Sequence, residues 1–483
     1  MSNYKHGVYV SEVATSLVAP IKSTAGLQVI VGTAPVNLLG DPGAAVNKPV
    51  LVNSYKEAVE AFGWSEDFEK YTLCEAIAAN FQVVGVAPLV LINVLDPARH
   101  NESFAETEVQ VNKGVALLGK KDVLKSELVV KAEEVTLEAE TDYTTSFNAD
   151  GTLNIILTAG GAGASATTLK VSGKVIDASA VAASDIVGGV DAQTGKETGL
   201  EVIRQVYPLL GMVPGILLAP RYSANATVAA ALQAKTKSIN GVFNCVCIID
   251  IDSSEAGAKK YTEVKVAKEV QAVIDAGAWA VWPFGKVGET IYSGSVLAGA
   301  MTAYTDALND DIPYVSPSNK AIALSGICLK DGTEVVLDQE QANTVNSFGV
   351  ATFLNMNGFR LWGNNTAAYP AITDPKDRWF SVRRFMCWAA NTFILTYFQK
   401  VDSPMNKRLI EAIVDSENIR GNAFVARQAC ARYEITYNED ENQTTELLNG
   451  RIVFHQYITP FTPAEDIEDI IEFDPEALKA ALA

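Results

Sequence analysis

At 483 residues the chain is too long for one hydrophobic core, and its make-up, 48% hydrophobic with 20% charged residues, is that of a folded protein of roughly two to four domains. Acidic residues outnumber basic ones 57 to 38, and the net charge of −19 argues against nucleic acid or an anionic membrane as partner, since both need Lys and Arg gathered on one face.

In chain order, HGVYVSEV from His6 reads as a short strand, with Val8, Tyr9, Val10 and Val13 as its pairing residues and no complementary strand nearby. STAGLQVIVGTAPV from Ser23 is an apolar strand ending in a Gly turn, as in strands buried on both faces. VNSYKEAVEAFG from Val52 predicts a helix with Ala58, Ala61 and Phe62 on its inner face and Gly63 as its stop. LCEAIAANF is a second helix and LVLINVL a second buried strand; the apolar run from Val83 is too short to span a bilayer and contains Pro88. Such alternation predicts a largely parallel sheet.

Near Arg99 the pattern changes. From about Glu108 to Gly189, short β-rich runs (VALLG, ELVVKAEEVTLEA, TLNIILTA, TLKVSG, KVID) separated by turn residues predict a small β-sandwich or barrel inserted into the first domain. Alternation resumes near Thr198 with GILLAP, NCVCIIDI and AWAVWPFG as strands and NATVAAALQAKTKSI and KKYTEVKVAKEVQAVIDAG as helices. A last unit begins near Gly358. In it, DRWFSVRRFMCWAANTFILTYF from Asp377 is apolar around most of its circumference, as a buried helix should be, and Ser403 and Pro404 open a second helix.

RIVFHQYI near the C-terminus alternates as a strand, Thr459, Pro460, Thr462 and Pro463 break its ladder, and IEDIIEF offers a second short strand carrying Ile470, Ile471 and Phe473. Asp474 and Pro475 then suit a closing turn of helix. An isolated strand at each end predicts pairing with other copies, because open strand edges template intermolecular ladders. Basic residues dominate from Lys376 to Arg432 and acidic ones after Arg432; the two regions are either ordinary solvated faces or complementary subunit contacts. Lys400, Lys407, Arg408, Arg420 and Arg427 are the candidate contact residues.

No catalytic, cofactor or metal residue is assigned. His6, His100 and His455, the three histidines, lie in terminal strands or at a domain edge, and no G-x-S-x-G elbow occurs; SGSVLAG from Ser293 lacks the strand-turn-helix context. GGAGAS from Gly160 lacks the Lys and Ser/Thr of a phosphate loop and reads as a hairpin turn. Cys245 and Cys247 have no second pair for zinc, and Asp250 and Asp252 are better explained by capping a following SSEA helix than by Mg²⁺. Six scattered cysteines suggest free thiols in a reducing cytoplasm, and MSNYKHG shows no secretion signal.

The ordered series HGVYVSEV, STAGLQVIVGTAPV, NKPVLVNSYKEAVEAFG, DIVGG, YVSPSNKAIALSGI, NMNGFRLWGNNT, DRWFSVRRF and PAEDIEDIIEF resembles, end to end, the tail sheath proteins of contractile bacteriophages and phage-tail-like (R-type) bacteriocins. That resemblance implies an α/β core of subtilisin-like topology without protease residues, an inserted all-β domain on the outside, and an α+β C-terminal domain facing an inner tube. The expected divisions are an N-terminal strand arm at 1–22, the core at 23–100 and 195–357, the insertion at 101–194, and the C-terminal domain with its strand arm at 358–483. It further implies stacked hexameric rings in a helical polymer linked by exchanged terminal strands. The implied partners are the tube, baseplate and tail-terminator proteins, in a virion or tail-like particle made in the bacterial cytoplasm. Hinges are expected at Ser16 to Ala19 and Pro460 to Pro463. The alternatives from other classes are a subtilisin-fold hydrolase and an adhesin using the β insertion.

Overall fold

The structure, a computed structural model, describes residues 24–482. The expected strand at Val8, Tyr9, Val10 and Val13, and the hinge at Ser16 to Ala19, lie outside the described residues.

The core begins with β1 (Gln28–Gly32), β2 (Pro49–Val52), α1 (Tyr55–Phe62), α2 (Thr72–Ala78) and β3 (Leu89–Asn93). Ser54 caps α1 by accepting from the Glu57 N–H, and Gly63, at φ +76°, ends it as the sequence predicts.

Next come β4 (Asn101–Asn112), β5 (Val115–Leu118), β6 (Val129–Ala132), β7 (Val135–Leu137), β8 (Tyr143–Phe147), β9 (Leu153–Leu157) and β10 (Thr168–Ile176). These form a seven-stranded antiparallel sheet of order β7-β6-β10-β4-β5-β9-β8, whose edge strands are brought together by the Ala139–Tyr143 bridge. The strands alternate, with Ala116, Leu118, Val130, Leu137, Tyr143, Leu153, Ile155, Leu169 and Val171 filling an interior separate from the main core.

The chain returns through α3 (Ala183–Val187), β11 (Gly189–Val190), β12 (Glu197–Thr198), α4 (Val206–Leu210), β13 (Ile216–Leu218), α5 (Ala226–Lys235), β14 (Val246–Asp250), α6 (Val264–Val270) and β15 (Ala278–Val281). A four-stranded sheet follows from β16 (Phe284–Val287), β17 (Thr290–Tyr292), β18 (Gly326–Cys328) and β19 (Glu334–Val335), with α7 (Gly294–Ala307) between β17 and β18. After α8 (Gln339–Ser347) come β20 (Val350–Asn355) and β21 (Phe359–Trp362). The main sheet has order β2-β3-β1-β13-β14-β15-β20-β21; its inner strands are parallel and the edge strands β2 and β21 antiparallel. Every residue of β1, β3, β13, β14 and β15 is buried, the continuous apolar reading that two covered faces require.

The last unit contains α9 (Pro375–Arg378), α10 (Phe380–Tyr397), α11 (Lys407–Ala426), β22 (Cys430–Thr436), α12 (Thr444–Leu448), β23 (His455–Pro460) and α13 (Pro475–Ala481). It is tied to the core where Phe380 stacks on Trp279 at 4.2 Å.

Several expectations are corrected. The insertion's ladder ends at Ile176, and Ala178, Val181 and Ile186, which follow it, pack in the main core. Tyr143–Phe147 is a strand the sequence reading passed over, TLKVSG and KVID are one strand, and GGAGAS joins β9 to β10, which are not neighbours, so it is no hairpin turn. AWAVWPFG feeds two different sheets, and the residues after Asp252 form a turn, not a helix. β21, which falls within the expected C-terminal unit, is the edge strand of the core sheet. The helix expected from Asp377 is broken at Trp379, which is extended at ψ 121°. The following helix starts at Lys407 on the Asn406 cap, not at Ser403. RIVF is not strand; β23 begins at His455 and runs through Pro460, which pairs with Cys430.

Candidate assembly surfaces

Residues 461–474 leave β23 without joining any ladder among the described residues. Ile467, Ile470, Ile471 and Phe473 are 76% to 88% exposed. Four large apolar side chains held in water within seven residues call for a partner surface. Asp474 then caps α13 by accepting from the Glu476 and Ala477 N–H groups.

The sheet beside this segment has two strands, β22 and β23. Such a hairpin is marginal alone and needs a packed face. Tyr433 and Ile435 supply it, buried against α11. Glu417 of α11, fully buried, accepts from Tyr433 Oη at 2.8 Å, Tyr397 Oη at 3.0 Å and Gln456 Nε2 at 2.9 Å, and pairs with Arg420. Burial and the Glu417 charge push both tyrosine hydroxyls well above their usual range, Tyr433 against the opposing pull of Arg420. This one carboxylate thereby ties α10, α11 and both strands together.

The outer edges of the hairpin differ. On β22, Asn418 donates to the Ile435 carbonyl at 3.0 Å and accepts from its N–H at 2.8 Å, and Gly421 lies so close to the Tyr433 carbonyl that any Cβ would sit 2.2 Å from it. Helix α11 therefore closes that edge. On β23, no ladder partner lies on the outer side among the described residues, and Pro460 at its end suits an edge position.

The candidate basic residues are scattered. Lys407 is exposed beside Glu411, Arg408 is exposed, Lys400 is half-buried, and Arg427 pairs with Asp310 at 3.0 Å. Arg420, 8% exposed and held by Glu417, is an internal residue, which corrects its assignment as a surface contact. The charge imbalance of the C-terminal quarter is partly spent inside the chain, with Arg378 on Glu465 and Arg451 on Glu446.

At the carboxyl ends of the core strands, where α/β proteins place active sites, the space is filled by side chains that bind one another. Asp250, ending β14, accepts from Ser295 N at 2.7 Å, Ser295 Oγ at 2.6 Å and Ser223 Oγ at 3.1 Å. Burial pushes its carboxyl up to about 6, the serine hydrogen bonds opposing. Glu75, fully buried, takes the Arg221 Nε at 2.8 Å and the Ser293 hydroxyl at 2.7 Å. Ser293 and Ser295, from the SGSVLAG string, thus have acceptors for their hydroxyl protons, and among the described residues neither His100 nor His455 is their partner.

No protein-family model matches the chain. The tail sheath protein of Burkholderia phage BcepMu is 26% identical over 490 residues, covering 99% of this chain and 98% of that one. The tail sheath protein of Escherichia phage P2 is 26% identical over 295 residues, 59% of this chain and 69% of that one. Over nearly its whole length the chain is similar to tail sheath proteins. Its fold is shared with solved sheath assemblies. A chain of the anti-feeding prophage baseplate matches with TM-score 0.59 and 14% identity over 98% of this chain and 99% of that one. A chain of an extracellular contractile injection system's sheath complex in the contracted state matches with TM-score 0.58 and 13% identity over 99% of each.

The sequence reading picked Ile470, Ile471 and Phe473 but missed Glu417, Asn418 and Gly421, which build and close the hairpin. Their signal was weak. Glu417 to Gly421 read as one more charged turn of helix, and only the packing of β22 shows which residues face it. No helix among the described residues is long and apolar enough to cross a membrane.

Proposed function

We propose that the chain polymerises around an inner tube as a non-catalytic sheath subunit, in stacked rings linked by exchanged terminal strands, and that contraction of the polymer drives the tube through a bacterial envelope. The observation that carries this reading is the uncovered apolar segment 461–474 beside a two-stranded sheet with one open edge. A strand donated by a neighbouring copy would add to the outer side of β23, and a second could pair on the first. Main-chain hydrogen bonds of this kind survive rigid-body movement if short pivots absorb the rotation. The contracted-state likeness of the fold supports the mechanical part.

The subunit divides, on this reading, into a terminal arm at 1–22, a core at 23–100 and 177–362, an insertion at 101–176 and a C-terminal unit after Trp362. The subtilisin-like reading of the core is supported by its doubly wound parallel sheet, and the non-catalytic reading by the carboxylates that occupy Ser293 and Ser295. Lys400, Lys407, Arg408 and Arg427 remain the candidate contacts with the tube or a neighbour. Val8, Tyr9, Val10 and Val13 remain the candidate N-terminal strand.

Electron microscopy of the purified full-length protein tests the reading. Striated tubes are expected, fewer or none with Ile471→Pro, which removes one ladder donor from the donated strand. Discrete particles under all conditions, or tubes of normal yield with Ile471→Pro, would reject it.

A further inference from the structure

Ala25 and Glu465, one early and one late in the described residues, are both bound by the stretch from Arg378 to Arg384. Arg378, the last residue of α9, is fixed before it meets a carboxylate: its guanidinium lies 4.6 Å from the Tyr369 ring and 4.0 Å from the Trp379 ring, and its Nε donates to Asn365 Oδ1 at 2.9 Å. Its Nη2 donates to Glu465 Oε2 at 3.1 Å, while Asn364 Nδ2 donates to the other Glu465 oxygen at 3.4 Å. Residues Pro463 to Ile467 line a cleft of about 740 Å³ together with Ser316, Asn343 and Asn346. Six residues after Arg378, Arg384 donates to the Ala25 carbonyl at 3.1 Å and pairs with buried Asp306. Ala25 also packs in one apolar cluster with Phe385, Trp388, Phe424 and Tyr433. Beyond Glu465 the side chains of Ile470, Ile471 and Phe473 are uncovered.

We propose that the segment Arg378–Arg384 is a common anchor for both chain ends, with Arg378 binding the root of the C-terminal arm at Glu465 and Arg384 holding Ala25 at the root of the N-terminal arm. The moving part of the C-terminal arm then begins at Asp466, and the Pro460 to Pro463 stretch expected as a hinge belongs to the rigid body. A guanidinium already stacked between two rings loses little freedom on gripping a carboxylate, so this pair is more persistent than an ordinary surface ion pair. The anchor continues into the largely buried helix α10, stacked on the core through Phe380 and Trp279. Load on either arm therefore enters the core through the adjoining helices α9 and α10. This inference rests on the strand-arm reading for its mechanical meaning, though the binding of Glu465 stands apart from it.

The test is hydrogen–deuterium exchange of the unassembled full-length chain, followed by polymer counts in the electron microscope. In the parent protein, amides of 461–465 should exchange at least tenfold more slowly than those of 466–473. Arg378→Gln and Glu465→Gln should each abolish that difference and lower polymer yield several-fold, and the double exchange Arg378→Glu with Glu465→Arg should restore part of both. Arg384→Lys, which keeps a charge beside Asp306, should speed exchange at 25–27 without affecting 461–465. Equal exchange on both sides of Glu465 in the parent, or no change with Arg378→Gln, overturns the anchor. A chain ending at Glu465 separates the two ideas: normal polymers from it would sink the strand-arm reading, while the exchange pattern of the full-length chain still reports on the anchor.

Discussion

Asp250 is a buried acid whose cost can be measured. Its folded carboxyl titrates near 6, about two units above an unfolded aspartate. The folded state therefore binds more protons between pH 6 and pH 4, and this group adds stability as the pH falls through that window. Asp250→Asn should lack that gain, which is at most about 3 kcal/mol at 1.36 kcal/mol per unit. Urea unfolding of both proteins at pH 7 and pH 4 checks it; the parent should gain stability relative to Asp250→Asn on acidification, and a constant difference would contradict the burial argument. Glu417 is a buried acid with a buried counter-ion, Arg420. Glu417→Gln leaves the Arg420 guanidinium buried without its counter-ion and should cost about 3 kcal/mol, read as a lower urea midpoint. Gln456 should lose protection with it, since its side chain is bound to the same carboxylate.

At the scale of elements, the insertion leaves and re-enters the core at one point. Asn101 and Ile176 are partners in the β4–β10 ladder, so the cut ends lie about 5 Å apart. Replacing 102–175 by a short Gly-Ser linker should give a folded chain that still forms sheath-like polymers, as judged by circular dichroism and electron microscopy. A folded but monomeric product would place the insertion in the lattice. Its separate apolar interior is the reason to expect folding: the removed strands take their own core with them. The hairpin β22–β23 behaves differently, because its packed face is shared with α10 and α11 and it has no core of its own.

For the whole molecule, the net charge of −19 is unevenly placed. Lys407 and Arg408 open α11 on its exposed side, while 465–476 carries a run of acids. Reversing both to Glu should slow polymer growth several-fold at low salt and less at moderate salt, because exposed charges act mainly through screened steering. Light scattering during assembly measures this, and unchanged rates at both salts would remove these residues from the contact surface. Arg427 is the less informative site, since it already faces Asp310.

The sequence by itself determined what local periodicity and turn chemistry encode. The buried strands at Gln28, Leu89, Ile216 and Val246, the capped helix at Tyr55, the change to alternating β segments after Arg99 and the lone C-terminal apolar run were all readable, because each is written in neighbouring residues. Tertiary structure alone decided which charges face inward and where units end. Arg420 and Arg408 are both arginines of one helix, yet one is consumed by Glu417 and the other is free to meet solvent, a difference set by the hairpin packed against α11. β21 joins the core sheet and Ala178, Val181 and Ile186 pack in the main core for the same reason: their partners lie far apart in sequence, where no local pattern names them. The anchoring of Glu465 on Arg378 joins residues 87 apart, and so could be read only from the folded chain.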